Sequence, residues 1–187
     1  MKNYVFKCAG QFAGLSSFTD DGEDKNFLKI DFLGGRVNLE INEELADLLS
    51  GKKVGSDVRA SGSVVVSGGA FRPVIEKMSF DGDKDFEAVS MEEAFAGLVF
   101  TGPGVVTSKN SFTRRDGEQV CEVKLELFGA SVTLPVEESQ FESIPRGQVI
   151  VSCRIVSEVA KDYRGRVTSK NWASLVGVRS MNETRKR

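Results

Sequence analysis

"KIDFLGGRVNL" (Lys29–Leu39) and "KLELFGASVTL" (Lys124–Leu134) are two versions of one segment. They align without a gap: lysine on lysine, Asp31 on Glu126, Gly34 on Gly129, Val37 on Val132. Apolar and polar residues alternate on both sides of the glycine. Leu28, Ile30 and Phe32 point one way and Lys29 and Asp31 the other, and Val37, Leu39 and Ile41 again share a face. A period of two marks half-buried strands. The Gly34-Gly35 pair between them marks a tight hairpin turn.

The match extends in both directions. "SFTDDGE" (Ser17–Glu23) precedes the first hairpin and "SFTRRDGE" (Ser111–Glu118) the second, with one residue inserted at the arginine pair. Upstream, "YVF" at Tyr4–Phe6 matches "LVF" at Leu98–Phe100, and Gly10 matches Gly104. Downstream, Gly55 matches Gly147, each ahead of a valine-rich run. Such self-similarity is the mark of a duplicated unit. It places a first unit in residues 1–80, an acidic linker in 81–96, a second unit in 97–179 and a basic tail in 180–187. In the linker, Ser90 and Glu93 have capping-box spacing for a brief helix, and Phe86 and Phe95 are expected to dock it.

Within the first unit, "YVFKCAGQFAGLSSF" is a long strand interrupted by Gly10 and Gly14, which inside a strand mark a bulge or a bend. The hairpin follows. Asn42 then stands where a helix N-cap belongs, ahead of "EELADLL". Two further strands, "GSDVRASGSVVV" and "PVIEKMSF", flank the loop "SGGAFR". In the second unit "EESQFESI" occupies the helix position, and "GQVIVSCRIV" and "RVTSKNWASLVGV" the last two strands. The pattern predicts an all-β chain of two tandem five-stranded Greek-key barrels, each with a short helix between strands three and four. This order, with its glycine-broken first strand, resembles the OB-fold of single-stranded nucleic-acid-binding proteins as a class. An SH3-like or another small Greek-key barrel shares much of the pattern.

Composition narrows the chemistry. The chain has 187 residues, 40% hydrophobic and 28% charged, as a globular protein does. It has no histidine, which removes the commonest general base and the commonest metal ligand. Cys8, Cys121 and Cys153 are widely spaced in apolar runs with no C-x-x-C pair, so they read as buried free thiols. There is no glycine-rich phosphate loop. No enzyme, cofactor or metal is expected. No apolar run has the length of a bilayer span and the first residues do not form a signal peptide, so a cytoplasmic protein with no membrane partner is expected.

The resemblance implies where a ligand binds: the outer face of strands two and three, with the loops between strands one and two and between four and five. In the second unit it implies Lys109, Phe112, Arg114 and Arg115 in the first loop, Lys124 and Phe128 on the sheet, and Lys161, Tyr163, Arg164 and Arg166 in the other loop. Lys170 and Trp172 follow on the last strand. In the first unit it implies Lys29, Arg36, Phe71 and Arg72, beside an acidic first loop. Single-stranded nucleic acid is held by cations along its phosphates and flat side chains against its bases. Residues 1–93 carry a net charge of −6 and residues 94–187 one of +4, so the overall −2 hides a basic half. The expected partner is single-stranded DNA or RNA, bound with little sequence preference and mainly through the second unit. Other readings stay open. Acidic and basic halves suit self-association of an assembly module, and basic loops are often solvated faces. Phe18 and Phe112 suit a loop plug as well as a stacking role, Leu33 and Phe128 suit an interface between the barrels, and Trp172 suits the core.

Overall fold

The alternation in the two hairpins is their burial pattern. Ten strands and three short helices run through the described residues: β1 (Tyr4–Asp20), β2 (Glu23–Phe32), β3 (Gly35–Ile41), α1 (Glu43–Leu49), β4 (Asp57–Ser67), β5 (Ala70–Phe80), α2 (Met91–Ala96), β6 (Leu98–Thr113), β7 (Gln119–Leu127), β8 (Ala130–Val136), α3 (Glu138–Phe141), β9 (Gly147–Lys161) and β10 (Val167–Ser180). The structure is a computed structural model describing residues 4–20, 23–33, 35–67, 70–161 and 167–181, with side chains left out at 18–20, 23–24, 67, 158–161 and 167–169. Leu28, Ile30, Val37, Leu39, Val123 and Leu125 are fully enclosed, as their period predicts.

Antiparallel ladders run β3–β2–β1–β4–β5 and, in the second half, β8–β7–β6–β9–β10. This is the OB-like order, repeated. The outermost strands of each set, β3 with β5 and β8 with β10, lie against each other. The irregularities repeat as well. β1 bulges between Phe12 and Gly14 and β6 between Val106 and Ser108. The ladders of β4 with β5 and of β9 with β10 also slip one register, at Ser61/Gly62 and at Leu175/Gly177. Gly10 and Gly104 occupy matching sites where the next strand crosses closely. A Cβ at Gly10 would stand 2.2 Å from the Asp31 carbonyl oxygen, and one at Gly104 would stand 2.8 Å from Leu127.

The helices close on local chemistry. Asn42 caps α1 by accepting from the Leu45 amide at 2.9 Å, with Glu43 and Glu44 at the positive end of the helix. Glu137, at the N-cap of α3, makes no such bond, and α3 is a single turn. Ser90 and Glu93 form the full capping box of α2. Arg59 of β4 pins this segment, pairing with both Glu93 oxygens (2.6 and 2.7 Å) and donating to the Glu87 and Ala88 carbonyls. Phe95, expected to dock the linker, is instead 55% exposed, because the arginine clamp and the Leu33 amide bonded to the Ala94 carbonyl hold α2 without it.

The two halves share one sheet. β1 pairs with β6 through Val5↔Thr101, Phe6↔Phe100 and Lys7↔Val99, and a single hydrophobic cluster runs through both halves. Tyr4 crosses the junction. Its hydroxyl donates to the Pro103 carbonyl at 2.5 Å, and its ring packs on Phe100 and Phe128. The far half of the β9–β10 hairpin lies across β3 and β5 of the first half. There Asn38 and Ser157, the two buried polar residues among the described ones, bond to each other. No helix among the described residues is long and apolar enough to cross a membrane.

Candidate nucleic-acid interface

A strand bulge decides which predicted residues reach the outer face of the second half. Up to Val106, β6 pairs in step with β7. The extra residue, Thr107, shifts the alternation, so that Ser108 pairs with Lys124, Lys109 with Val123 and Phe112 with Val120. Lys109 therefore shares a side with the fully buried Val123, although a loop position on the ligand face was expected. Its ammonium donates to the Glu142 and Ile144 carbonyls, both at 3.3 Å, and sits 4.7 Å from the centre of the Phe141 ring. It fastens α3 to the sheet. The same bulge turns Phe112 outward, 47% exposed, onto the face that carries Lys124. Glu122 and Glu126 flank Lys124 on that face. At the hairpin tip Arg114 is bonded to Glu118 at 2.7 Å, while Arg115 is exposed with no ion pair among the described residues.

Phe128 serves the junction. It forms the β7–β8 turn with Gly129, at φ 49 and 85, so both central residues have the positive φ of a type I′ turn. A phenylalanine is unusual there. Its ring lies 4.2 Å, centre to centre, from that of Tyr4 in the first half. Gly34, in the matching turn of the first half, lies outside the described residues, as do Tyr163, Arg164 and Arg166. Lys161 closes the β9–β10 ladder opposite Val167, and its side chain is outside the described set.

In the first half the expected ligand face is partly roofed. Its outward residues on β2 and β3 include Phe27 and Asn38, both buried. The cover is the β9–β10 arm. Lys29, half-buried, pairs in register with Asn38. Arg36 grips Asp31 with two bonds of 2.5 and 2.8 Å. That bond holds the Asp31 carboxyl below the usual carboxylate range and raises the guanidinium, so Arg36 is a neutralised cation.

Beside this roof the sheet of the first half and β10 of the second enclose a cleft of about 510 Å³. Phe27 and Phe71 form its floor. Phe71, expected to stack on a ligand, is buried with its ring 5.7 Å from that of Phe100 and belongs to the core. Arg72, Lys170 and Trp172 stand at the walls. Trp172 is 46% exposed and so is not a core residue. Lys170 is exposed and Arg72 lies 3.8 Å from Glu40, a surface pair too weak to immobilise it. Glu40, Ala70 and Pro73 also line it, and Asn38 and Asn171 complete the lining. Neither stands out in the sequence as a ligand residue. The available signal is that asparagine is a poor strand former, and each sits inside a strand.

The remaining reactive groups are enclosed. Burial pushes the Cys8 and Cys153 thiols up to about 12, and the Tyr4 hydroxyl likewise to about 12. Among the described residues no cluster of three or more His, Cys, Asp or Glu could hold a metal ion.

No family model matches the chain, and no curated protein matches it. Solved structures do. The wild-type single-stranded DNA binding protein from Thermus aquaticus is 13% identical, with a TM-score of 0.50, over 96% of this chain and 92% of that one. A deletion mutant of the same protein, also 13% identical, gives a TM-score of 0.49 over 96% and 94%. At that identity the likeness is one of fold. In fold the chain resembles single-stranded DNA-binding proteins of the OB class.

Proposed function

We propose that the chain binds single-stranded nucleic acid, DNA in the first instance, along a track that passes through the inter-unit cleft. The observation that carries this reading is the meeting of Trp172, Lys170 and Arg72 around a cleft on the outer face of β2 and β3. An exposed indole offers a stacking platform, and the flanking cations can hold phosphates without reading sequence. Most of the track belongs to the second unit. It supplies Trp172 and Lys170, the exposed Phe112, Arg115 and Lys124, and, outside the described residues, Tyr163, Arg164 and Arg166. The first unit supplies the floor and Arg72. In this reading residues 1–80 and 97–179 are two OB-like domains, 81–96 their linker and 180–187 a basic tail, and no catalytic step is involved.

Fluorescence anisotropy with a labelled single strand of about thirty bases, at several salt concentrations and with duplex competitor, tests it. Binding that falls steeply with salt and resists duplex supports the reading, because counterion release sets that slope. Absence of binding at low salt overturns it.

A second reading, self-association, has its own observation: Leu33, Met91 and Phe95 are exposed together around α2. Concentration-dependent, salt-sensitive sedimentation without nucleic-acid affinity would favour it.

A further inference from the structure

Asn38 and Asn171 bring a different chemistry to the cleft. Asn38 is only 4% exposed. Its Nδ2 donates to the Ser157 carbonyl at 3.3 Å, and its backbone amide donates to Ser157 Oγ at 3.0 Å. Asn171 Nδ2 donates to the Phe71 carbonyl at 2.8 Å. A carbonyl only accepts, so each amide must turn its nitrogen toward it and its oxygen away. Both oxygens are buried, and neither has a hydrogen-bond partner. Native folds keep few such groups. Here two of them, one from each half of the chain, line the same cleft beside an indole, two cations and the Glu40 carboxylate.

We infer that the two amide oxygens form an acceptor pair that reads the edge of one nucleobase and selects a base with an exocyclic amino group. The inference rests on the single-strand reading above. An amino group supplies the N–H donors that the oxygens lack. Cytosine, adenine and guanine carry one, with two N–H bonds on a single nitrogen, whereas thymine and uracil offer on their pairing edge only one N3–H, flanked by two carbonyl oxygens that repel a second acceptor. Sites built to bond a donor reject analogues without it far more strongly than apolar pockets reject a missing methylene. The rest of the track stays sequence-blind. Arg72 and Lys170, at the same cleft, take phosphates of the strand, and because both amide oxygens are enclosed a base reaches them only when the side chains over them shift.

Titration of Trp172 fluorescence tests this, since the chain has one tryptophan. Three oligonucleotides of equal length serve as probes: oligo-dC, oligo-dT, and an oligo-dC in which 2-pyrimidinone, which is cytosine without its amino group, replaces each base. Oligo-dC is expected to bind about tenfold tighter than the other two, the size of one good base-edge contact. Asn171→Leu levels the three affinities, with its melting temperature checked. The pyrimidinone arm needs no variant, so a folding defect does not blunt the test. Equal affinities in the unaltered protein, or tighter oligo-dT, overturn the acceptor pair and leave single-strand binding standing. No binding of any strand overturns the reading beneath it. Cytidine monophosphate is expected to bind more weakly than oligo-dC. Equal affinity would make the cleft a free-nucleotide site and overturn the strand reading while keeping the acceptor pair.

Discussion

Phe6 and Phe100 are partners at the centre of the β1–β6 seam, and each closes the matched tripeptide of its unit, so one repeat position pairs with its own copy. The neighbours obey the same exchange: Val5 meets Thr101 as Lys7 meets Val99. The two halves therefore join as two identical subunits join about a two-fold axis. Both phenylalanines are fully buried in one continuous cluster. Replacing either with alanine is expected to cost about 3–5 kcal/mol. Because the cluster is shared, urea unfolding followed by circular dichroism and by Trp172 fluorescence should give one coincident transition. Two separated transitions would contradict a shared core.

The Arg59–Glu93 clamp makes the linker pH-sensitive. The hydrogen bond from Arg59, then that from the Ser90 amide, lowers the Glu93 carboxyl to about 2. A carboxyl with a depressed folded-state value favours the folded state when ionised. That contribution is complete above the ordinary glutamate value and is lost as pH falls through about 2. Hydrogen-exchange protection factors across residues 87–97, taken against the intrinsic rate at each pH, should fall as acid is added below pH ~4. Glu93→Gln should keep those protection factors low at every pH. An unchanged acid profile in that variant would remove Glu93 as the cause.

Lys109 and Lys170 separate structure from binding. Lys109→Ala is expected to lower the melting temperature, because α3 loses its tether, and to leave strand affinity unchanged. Lys170→Ala should do the reverse, and should reduce the salt slope of binding by about 0.7, the share of one phosphate contact on a single strand. A large affinity loss in Lys109→Ala would show that its ammonium leaves the Glu142 and Ile144 carbonyls to meet the ligand.

Among the arginines, Arg115→Ala is expected to weaken binding more than Arg114→Ala, whose guanidinium is already paired with Glu118. Arg36→Ala should change little, since Asp31 neutralises that cation. Equilibrium binding of the three variants at one salt concentration ranks them, and Arg36→Ala as the most damaging would move the track off the cleft.

The legible part of the sequence was local. Alternation around Gly34 and Gly129, the Asn42 cap and the Ser90–Glu93 box each depend on residues a few positions apart, and each is found where it was read. Lys109 shows what local pattern misses. A single extra residue, Thr107, reverses every side chain beyond it, and unlike Gly14 in the first copy it announces no bulge. Asn38 shows the other limit. It alternates outward between Val37 and Leu39 and reads as solvated, but a hairpin arm from more than a hundred positions away buries it: its partner is Ser157. The cleft belongs to that long-range packing, so Arg72 and Trp172 are visible as chemistry in the sequence and not as neighbours.

The most direct measurement of the central claim is the fluorescence of Trp172 during titration with single-stranded DNA, at several salt concentrations and with duplex as competitor. The account predicts saturable quenching as bases stack on the indole, weakening steeply with salt and little affected by duplex. Replacing Trp172 with phenylalanine and following anisotropy instead should retain most of the affinity, while alanine should lose about 1–3 kcal/mol. Strand binding that leaves Trp172 fluorescence unchanged, with an alanine variant of undiminished affinity, would contradict it.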